Sequence, residues 1–185
     1  VFTLGNHELW SFPGFQIEQI VSKYRTILEE YGMYLLHNDL LYKEDCGLLA
    51  DPNTGTHLIK YHDLCQMNET QIADRLRSAR YVILGGLGFS GYNMEFNADN
   101  GIYRMTVDRD TEIKESKIFE DLYNRLRPIL ANKNTIILTH TPKKDWCREA
   151  DPNKNYVYVS GHTHRNFFHD DGEYRVYSDN QFGYH

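Results

Sequence analysis

The chain has 185 residues, a length typical of one domain, and 41% of them are hydrophobic while 25% are charged. No run approaches the ~20 apolar residues that a membrane-spanning helix requires, so we expect no membrane segment. The net charge of −6 disfavours a nonspecific nucleic-acid binder, without excluding a nucleic-acid substrate, because bound cations can supply positive charge. Three cysteines without a CxxC pair, Cys46, Cys65 and Cys147, predict reduced thiols and a cytoplasmic location.

The sequence opens on an apolar run, residues 1–4, which predicts the end of a strand. Because it opens in this way and without Met, we expect residues 1–185 to be one partial domain that lacks its amino-terminal part and stops before its end. Apolar residues at helical spacing then predict a helix over residues 15–31. Short strands are predicted over 33–36, 40–43, 47–50 and 57–60.

The middle of the chain contains a second set of predicted elements. Asn68 and Gln71 have the spacing of a capping box and predict a helix with Ile72, Leu76 and Ala79 on one face. A strand over residues 81–84 leads into a Gly- and Asn-rich loop with a weak hairpin at 86–101. Helical spacing predicts a long helix over 112–130, weakened in its last turn by Pro128.

The last part of the chain contains four predicted strands, at 135–138, 156–159, 167–168 and 174–177, of which the final two form a hairpin. Strands and helices therefore alternate along the whole sequence, with no linker or repeat that would divide it. This pattern predicts an α/β layered domain.

Metal-capable side chains follow three of the predicted strands. In layered α/β proteins ligands lie beyond the carboxyl ends of strands, so we expect these residues to meet in space. Imidazole rings and an amide oxygen suit Mn, Fe or Zn, and two histidines separated by one residue point to one side of an extended segment. The three groups are Gly5-Asn6-His7-Glu8, then Thr139-His140, then Gly161-His162-Thr163-His164.

These three groups, in this order, resemble the last three signature motifs of calcineurin-like metallophosphoesterases, GNH(D/E), H and GHxH. The resemblance extends over nearly the whole chain. It implies an α/β fold in which a layered sandwich of mixed β-sheets is flanked by helices. It also implies hydrolysis of a phosphomonoester or phosphodiester by a hydroxide that bridges two divalent metal ions, Mn, Fe or Zn.

The resemblance also implies a role for each site residue. Asn6, His140 and His162 are expected to bind one metal ion, and His164 to bind the other. His7 is expected to contact the phosphate and assist the leaving oxygen, with Glu8 as the carboxylate that orients its ring. The phosphorylated substrate, the metal identity and the oligomeric state are not specified by these motifs.

Two signature motifs of that family, DxH and GDxxD, are absent from the 185 residues. They supply the remaining metal ligands, including the aspartate that bridges the metals. Because we expect truncation to explain their absence, we predict that this stretch alone is inactive and exposes sheet edge and core surface. The alternative is a degenerate, non-catalytic fold of the same kind that serves as a protein-binding scaffold.

Other polar residues have simpler interpretations. His7-Glu8 does not begin a zinc-binding HExxH motif, because Ser11 occupies the position of the second histidine. Lys143, Lys144 and Arg165 are candidates either for binding substrate phosphate or for solvated surface charge. The remaining histidines are expected to be surface or structural residues: His37, His57, His62, His169 and His185.

Overall fold

A computed structural model describes residues 1–45, 54–93, 102–149, 155–164, 167–170, 172 and 175–178. Its helices are α1 Asn6–Trp10, α2 Ile17–Glu30, α3 Tyr61–Gln66, α4 Glu69–Arg75, α5 Arg109–Leu130 and α6 Lys143–Trp146. Its strands are β1 Asp39–Glu44, β2 Thr56–Ile59, β3 Ala79–Gly86, β4 Asn134–Thr139, β5 Tyr156–Ser160, β6 Phe167–Asp170 and β7 Arg175–Ser178.

The described strands form one mixed sheet in the order β2-β1-β3-β4-β5-β7-β6. The centre is parallel, because β3, β4, β5 and β7 pair in the same direction. At the two edges β1, β2 and β6 pair antiparallel. The predicted α/β class is confirmed, whereas the sandwich of several sheets is not formed by the described strands. No helix in the described ranges has the length and apolar character to span a membrane.

The predicted long helices are confirmed as α2 and α5, and each has ends within three residues of the prediction. The capping box is also confirmed: the Asn68 side chain accepts a hydrogen bond from the Gln71 N–H at 2.9 Å, and Gln71 returns one to the Asn68 N–H at 2.8 Å. The prediction that Ala79 extends this helix was wrong. Helix α4 ends at Arg75, and Ala79 begins β3 after a tight turn.

Predicted strands over residues 40–43, 57–60, 81–84, 135–138 and 156–159 each coincide with a described strand, and the closing hairpin is confirmed as β6 and β7. The strands predicted at 1–4 and 33–36 were wrong, because they reduce to one isolated parallel bridge between Phe2 and Leu35. The pairing ends early because helix α1 begins at Asn6. The predictions at 47–50 and over the second half of 86–101, residues 94–101, lie outside the described residues.

One face of the sheet carries the main hydrophobic core. Helices α3 to α6 pack there, and the Trp146 ring lies 4.7 Å from Phe119 and 5.3 Å from Tyr123, with edge-to-face geometry in both pairs. Each fully buried large side chain contributes about 1.5–3 kcal/mol to folding. The fully buried members of this core include Leu40, Leu64, Ile72, Leu76, Val82, Leu84 and Leu126.

A second hydrophobic cluster attaches the amino-terminal segment to the end of β3. It joins Leu4 and Leu9 to residues of α2, to Leu87 and Phe89 after β3, and to Tyr103. The Thr3 hydroxyl donates a hydrogen bond to the Gly86 carbonyl at 2.7 Å. These contacts place the segment that contains Asn6 beside the carboxyl ends of the parallel strands.

The other face of the sheet is only partly covered by the described residues. An apolar groove of about 440 Å³ runs along it, and Tyr81 on its border is 43% exposed. Contiguous exposed apolar surface of this kind is characteristic of a packing or interaction surface. The groove is lined by apolar side chains that include Val1, Met33, Leu41, Ile83 and Ile136.

A buried carboxyl group connects α5 to the loops above the sheet. Glu112 is only 1% exposed, accepts a hydrogen bond from the Ser90 hydroxyl at 3.0 Å and accepts another from the Tyr103 N–H. Burial raises the pKa of Glu112 to about 7, although both hydrogen bonds act in the opposite direction. The protonated form is therefore favoured in the folded state relative to the unfolded chain.

We predict that Glu112→Gln changes how the free energy of unfolding depends on pH. The folded protein binds the Glu112 proton more tightly than the unfolded chain, so wild-type stability falls as pH rises from about 4.5 to about 7. The neutral glutamine does not titrate, so the variant should gain up to about 3 kcal/mol relative to wild type between pH 5 and pH 8. Urea unfolding at both pH values measures this difference, and parallel pH dependence of the two proteins would contradict it.

Candidate functional site

The candidate site lies where strands β3, β4 and β5 end. Register pairs Gly86 with Thr139, and Thr139 with Ser160, so the three strands stop at the same level. The backbone beyond them is joined in turn: the His140 N–H donates to the Leu87 carbonyl at 2.9 Å, and the Gly161 N–H donates to the His140 carbonyl at 2.9 Å. Two of the three predicted groups are therefore held side by side by main-chain hydrogen bonds.

Gly5 brings the third group against His140. A Cβ atom at residue 5 would lie 2.9 Å from Cε1 of the His140 ring, a separation that real Cβ contacts do not show. The absence of a side chain at Gly5 therefore permits the close approach of the two segments.

The side-chain amide of Asn6 contacts two other parts of the chain. Its Nδ2 group donates to the Ile102 carbonyl at 3.2 Å, and its Oδ1 atom lies 2.9 Å from Nε2 of His140. Because Ile102 offers only an acceptor, the Nδ2 group must face Ile102 and the Oδ1 atom must face His140. Asn6 is 5% exposed, so this orientation is fixed within a buried environment.

The site contains four histidines, of which His140 and His162 are partly buried and His7 and His164 are exposed. Burial lowers the pKa of His140 to about 3, with smaller contributions from His162, His7 and His164. The His140 ring is therefore neutral at pH 7, which is the form that binds a metal ion. The ring centroids of His140 and His162 are 5.0 Å apart, in an edge-to-face arrangement.

The segment after β5 is a turn, and the prediction that it is extended was wrong. His162 and His164 have φ angles of 72° and 52°, in the left-handed region that non-glycine residues rarely adopt. The Thr163 N–H donates to the Gly161 carbonyl at 2.9 Å and closes the turn. Such strained backbone is frequently found at functional sites, where surrounding contacts maintain it.

All six sequence-predicted site residues line one cavity of about 430 Å³, which we call the site cavity. It therefore brings together residues from the two ends of the chain, as the motifs predicted. Its lining consists of Thr3, Gly5, Asn6, His7, Glu8, His140, Gly161, His162 and His164.

The donors in the site cavity fit a transition-metal ion in chemical type. The predicted ligands are the Asn6 amide oxygen and the imidazole nitrogens of three histidines, donor types that bind Mn, Fe and Zn. Four such donors are enough to complete one tetrahedral site or to begin two sites. Within the described part of the chain, however, no three His, Cys, Asp or Glu side chains converge closely enough to enclose an ion. The metal-ligand role of these residues therefore stays a prediction.

Glu8 and His7 occupy different positions in the short helix α1. The Glu8 carboxylate accepts a hydrogen bond from the Gly5 N–H at 2.7 Å and so holds the first turn in place. His7 is exposed, and its ring centroid lies 4.4 Å from that of Trp10. The proposed orientation of the His7 ring by Glu8 stays a prediction.

Sequence reasoning did not identify Thr3, Trp10 or the Ile102 carbonyl as parts of the site. Trp10 follows His7 by three residues, which is a helical neighbour spacing, but no helix was predicted between residues 4 and 15. Lys143 and Lys144 line a separate cavity of about 600 Å³ with Arg148 and not the site cavity. Arg165 lies outside the described residues.

We predict that Gly5→Ala destabilises the protein by about 1–3 kcal/mol, the usual cost of overpacking. Gly5 has φ −116° and ψ −173°, which alanine also adopts, so the cost comes mainly from contact with the His140 ring, with a smaller part from Glu8 Oε2 at 3.2 Å. In a His140→Ala background the same change should cost little, because there is no ring to displace. Urea unfolding of the four proteins in this double-mutant cycle measures the coupling. An equal cost in both backgrounds would refute the contact.

Comparisons of the chain with protein-family models, with curated proteins and with solved structures found no match. No family is therefore assigned by overall similarity. The arguments for a function rest on the three motifs and on the geometry of the site cavity.

Proposed function

We propose that the chain contributes metal ligands to a metal-dependent phosphoesterase, which hydrolyses a phosphomonoester or a phosphodiester. The observation that carries this proposal is the site cavity, in which Asn6 Oδ1 lies 2.9 Å from His140 Nε2 and both line the same cavity as His162 and His164. The first pair is separated by 134 residues in sequence, so its contact is a product of the fold.

In this proposal, each side chain of the site cavity has one role. Asn6, His140 and His162 would hold one divalent cation, and His164 would take part in holding a second. Mn, Fe and Zn suit these donors. When bound, the cations supply positive charge to the phosphate oxygens and lower the pKa of water at the site.

His7 has the position of a proton donor in the proposed reaction. It is the exposed histidine of α1 and reaches the site cavity from its rim. In hydrolysis an oxygen of water bonds to phosphorus and loses a proton to solvent, while the bond from phosphorus to the ester oxygen breaks. The His7 imidazolium donates a proton to the departing alkoxide, which leaves as the alcohol. Glu8, through Gly5, holds the turn on which His7 is placed.

The proposal includes a fold in which further layers cover the sheet. A sandwich of mixed β-sheets flanked by helices would use the apolar groove on the second face of the sheet as a packing surface. We also propose a cytoplasmic location, which suits the free thiols of Cys65 and Cys147. The negative net charge favours a small phosphorylated substrate over long nucleic acid.

We predict that His162→Ala in the full-length protein abolishes metal binding and phosphatase activity together. Loss of one ligand leaves the cation undercoordinated, so kcat/KM for 4-nitrophenyl phosphate should fall by about a hundredfold or more. His162→Gly should give the same loss, and because glycine adopts positive φ without strain, it separates ligand loss from backbone strain. Metal content by elemental analysis and the steady-state rate are the measurements.

His62→Ala is the matched control, because His62 is an exposed histidine of α3 outside the site cavity. It should leave metal content and rate unchanged. Undiminished hydrolysis by both His162 variants would refute the assignment. Metal binding without hydrolysis in wild type would instead support the non-catalytic scaffold.

A further inference from the structure

A second polar feature lies next to the site cavity and has no role in the proposal above. Arg104 and Met105 follow Ile102 and Tyr103 in a loop that packs against α1 through the Ile102 carbonyl. Both have left-handed backbone, with φ angles of 48° and 60°, and neither is glycine. Two consecutive residues in this region are strained, and such strain is concentrated at sites that contact ligands.

The strained backbone presents the Arg104 side chain to Trp10. The guanidinium carbon lies 3.8 Å from the centroid of the Trp10 ring, a close cation–π contact. Trp10 is itself held, because its Nε1–H donates to the Ile102 carbonyl at 3.2 Å. The Ile102 carbonyl also accepts a hydrogen bond from Asn6. One oxygen atom therefore positions both Asn6, a predicted metal ligand, and Trp10, the ring that contacts Arg104.

Arg104 lies close to His7. The Trp10 centroid is 4.4 Å from the His7 centroid and 3.8 Å from the Arg104 guanidinium carbon, so these two groups are within about 8 Å of each other. In the proposed function a substrate phosphate contacts His7, whereas Arg104 lies against the Trp10 ring, which in turn contacts His7. Arg104 is therefore suited to a second part of the same substrate.

The chemistry of an arginine that contacts an aromatic ring indicates which substrate group it would bind. A guanidinium carbon 3.8 Å from a ring centroid is close enough for contact through the face of the group. Such contact leaves the N–H edge available, and its planar fork matches a carboxylate or phosphate. Arg104 is exposed, and in the described ranges no acidic side chain forms an ion pair with it. A carboxylate or phosphate of the substrate can therefore approach this edge.

We propose that Arg104, positioned by Trp10, is an anion subsite beside the site cavity, and that the substrate is a phosphoester with a second negatively charged group. This inference rests on the proposed phosphoesterase function. It specifies the substrate class as a phosphoester that bears a carboxylate or another phosphate on the side away from the reacting phosphorus.

The test compares 4-carboxyphenyl phosphate with 4-carbamoylphenyl phosphate, which has the same shape without the second charge. In the full-length protein, Arg104→Gln should lower kcat/KM for the carboxylate substrate about tenfold, mainly through KM, since a charged hydrogen bond is lost. The same variant should change kcat/KM for the amide substrate less than twofold. Arg104→Lys should retain part of the preference, because it keeps the charge without the planar fork.

Arg77→Gln is the control. Arg77 precedes β3, at the other end of that strand from the site cavity, and its side chain is 80% exposed. It should leave the ratio between the two substrates unchanged. An equal effect of Arg104→Gln on both substrates, or no effect on either, would overturn the anion subsite while leaving the phosphoesterase function intact. Failure of wild type to hydrolyse either substrate with Mn or Zn present would refute the phosphoesterase function itself, and the subsite with it.

Discussion

The parallel pairing of β3, β4 and β5 determines where every other part of the candidate site lies. Because Gly86, Thr139 and Ser160 occupy one level of the sheet, the residues that follow them emerge side by side at one edge. The Leu87 carbonyl, the His140 main chain and the Gly161 N–H then form a short ladder beyond the sheet. A one-residue shift in either pairing would reverse the sides to which the following side chains project and separate the histidines.

Polar side chains of α5 form hydrogen bonds with the loop after β3 and with the segment that contains Tyr103. Ser116 donates to the Phe89 carbonyl and accepts from the Gly91 N–H, while Glu112 accepts from Ser90 and from the Tyr103 N–H. Buried hydrogen bonds of this kind specify one loop conformation, because leaving any of these groups unpaired is costly. The Ile102 carbonyl, which Asn6 contacts, belongs to the same peptide unit as the Tyr103 N–H. Helix α5 therefore fixes the position of the acceptor for Asn6 through this one peptide unit.

The features that the sequence predicted are those encoded locally. Apolar runs specify strands, and the Asn68–Gln71 box specifies a helix start. The meeting of the motif residues is not encoded locally and was expected because each group follows a predicted strand. The left-handed turn at His162 and His164 was not predictable, because it depends on the neighbouring strand, whose His140 carbonyl fixes the Gly161 N–H. The contacts of Ile102 and Arg104 were missed for a similar reason: they arise from packing between segments more than 90 residues apart, for which one sequence contains no periodic signal.

The contact between Asn6 and Ile102 explains why an amide, and not a carboxylate, stands at residue 6. Aspartate has the stronger attraction for a cation, but it has no hydrogen to donate to the Ile102 carbonyl. An ionised aspartate would place a negative oxygen against that carbonyl dipole in a position that is 95% shielded from solvent, where the repulsion is poorly screened. The Ile102 carbonyl therefore requires a side chain with an N–H donor at residue 6, and its hydrogen bond gives the Asn6 amide a single orientation.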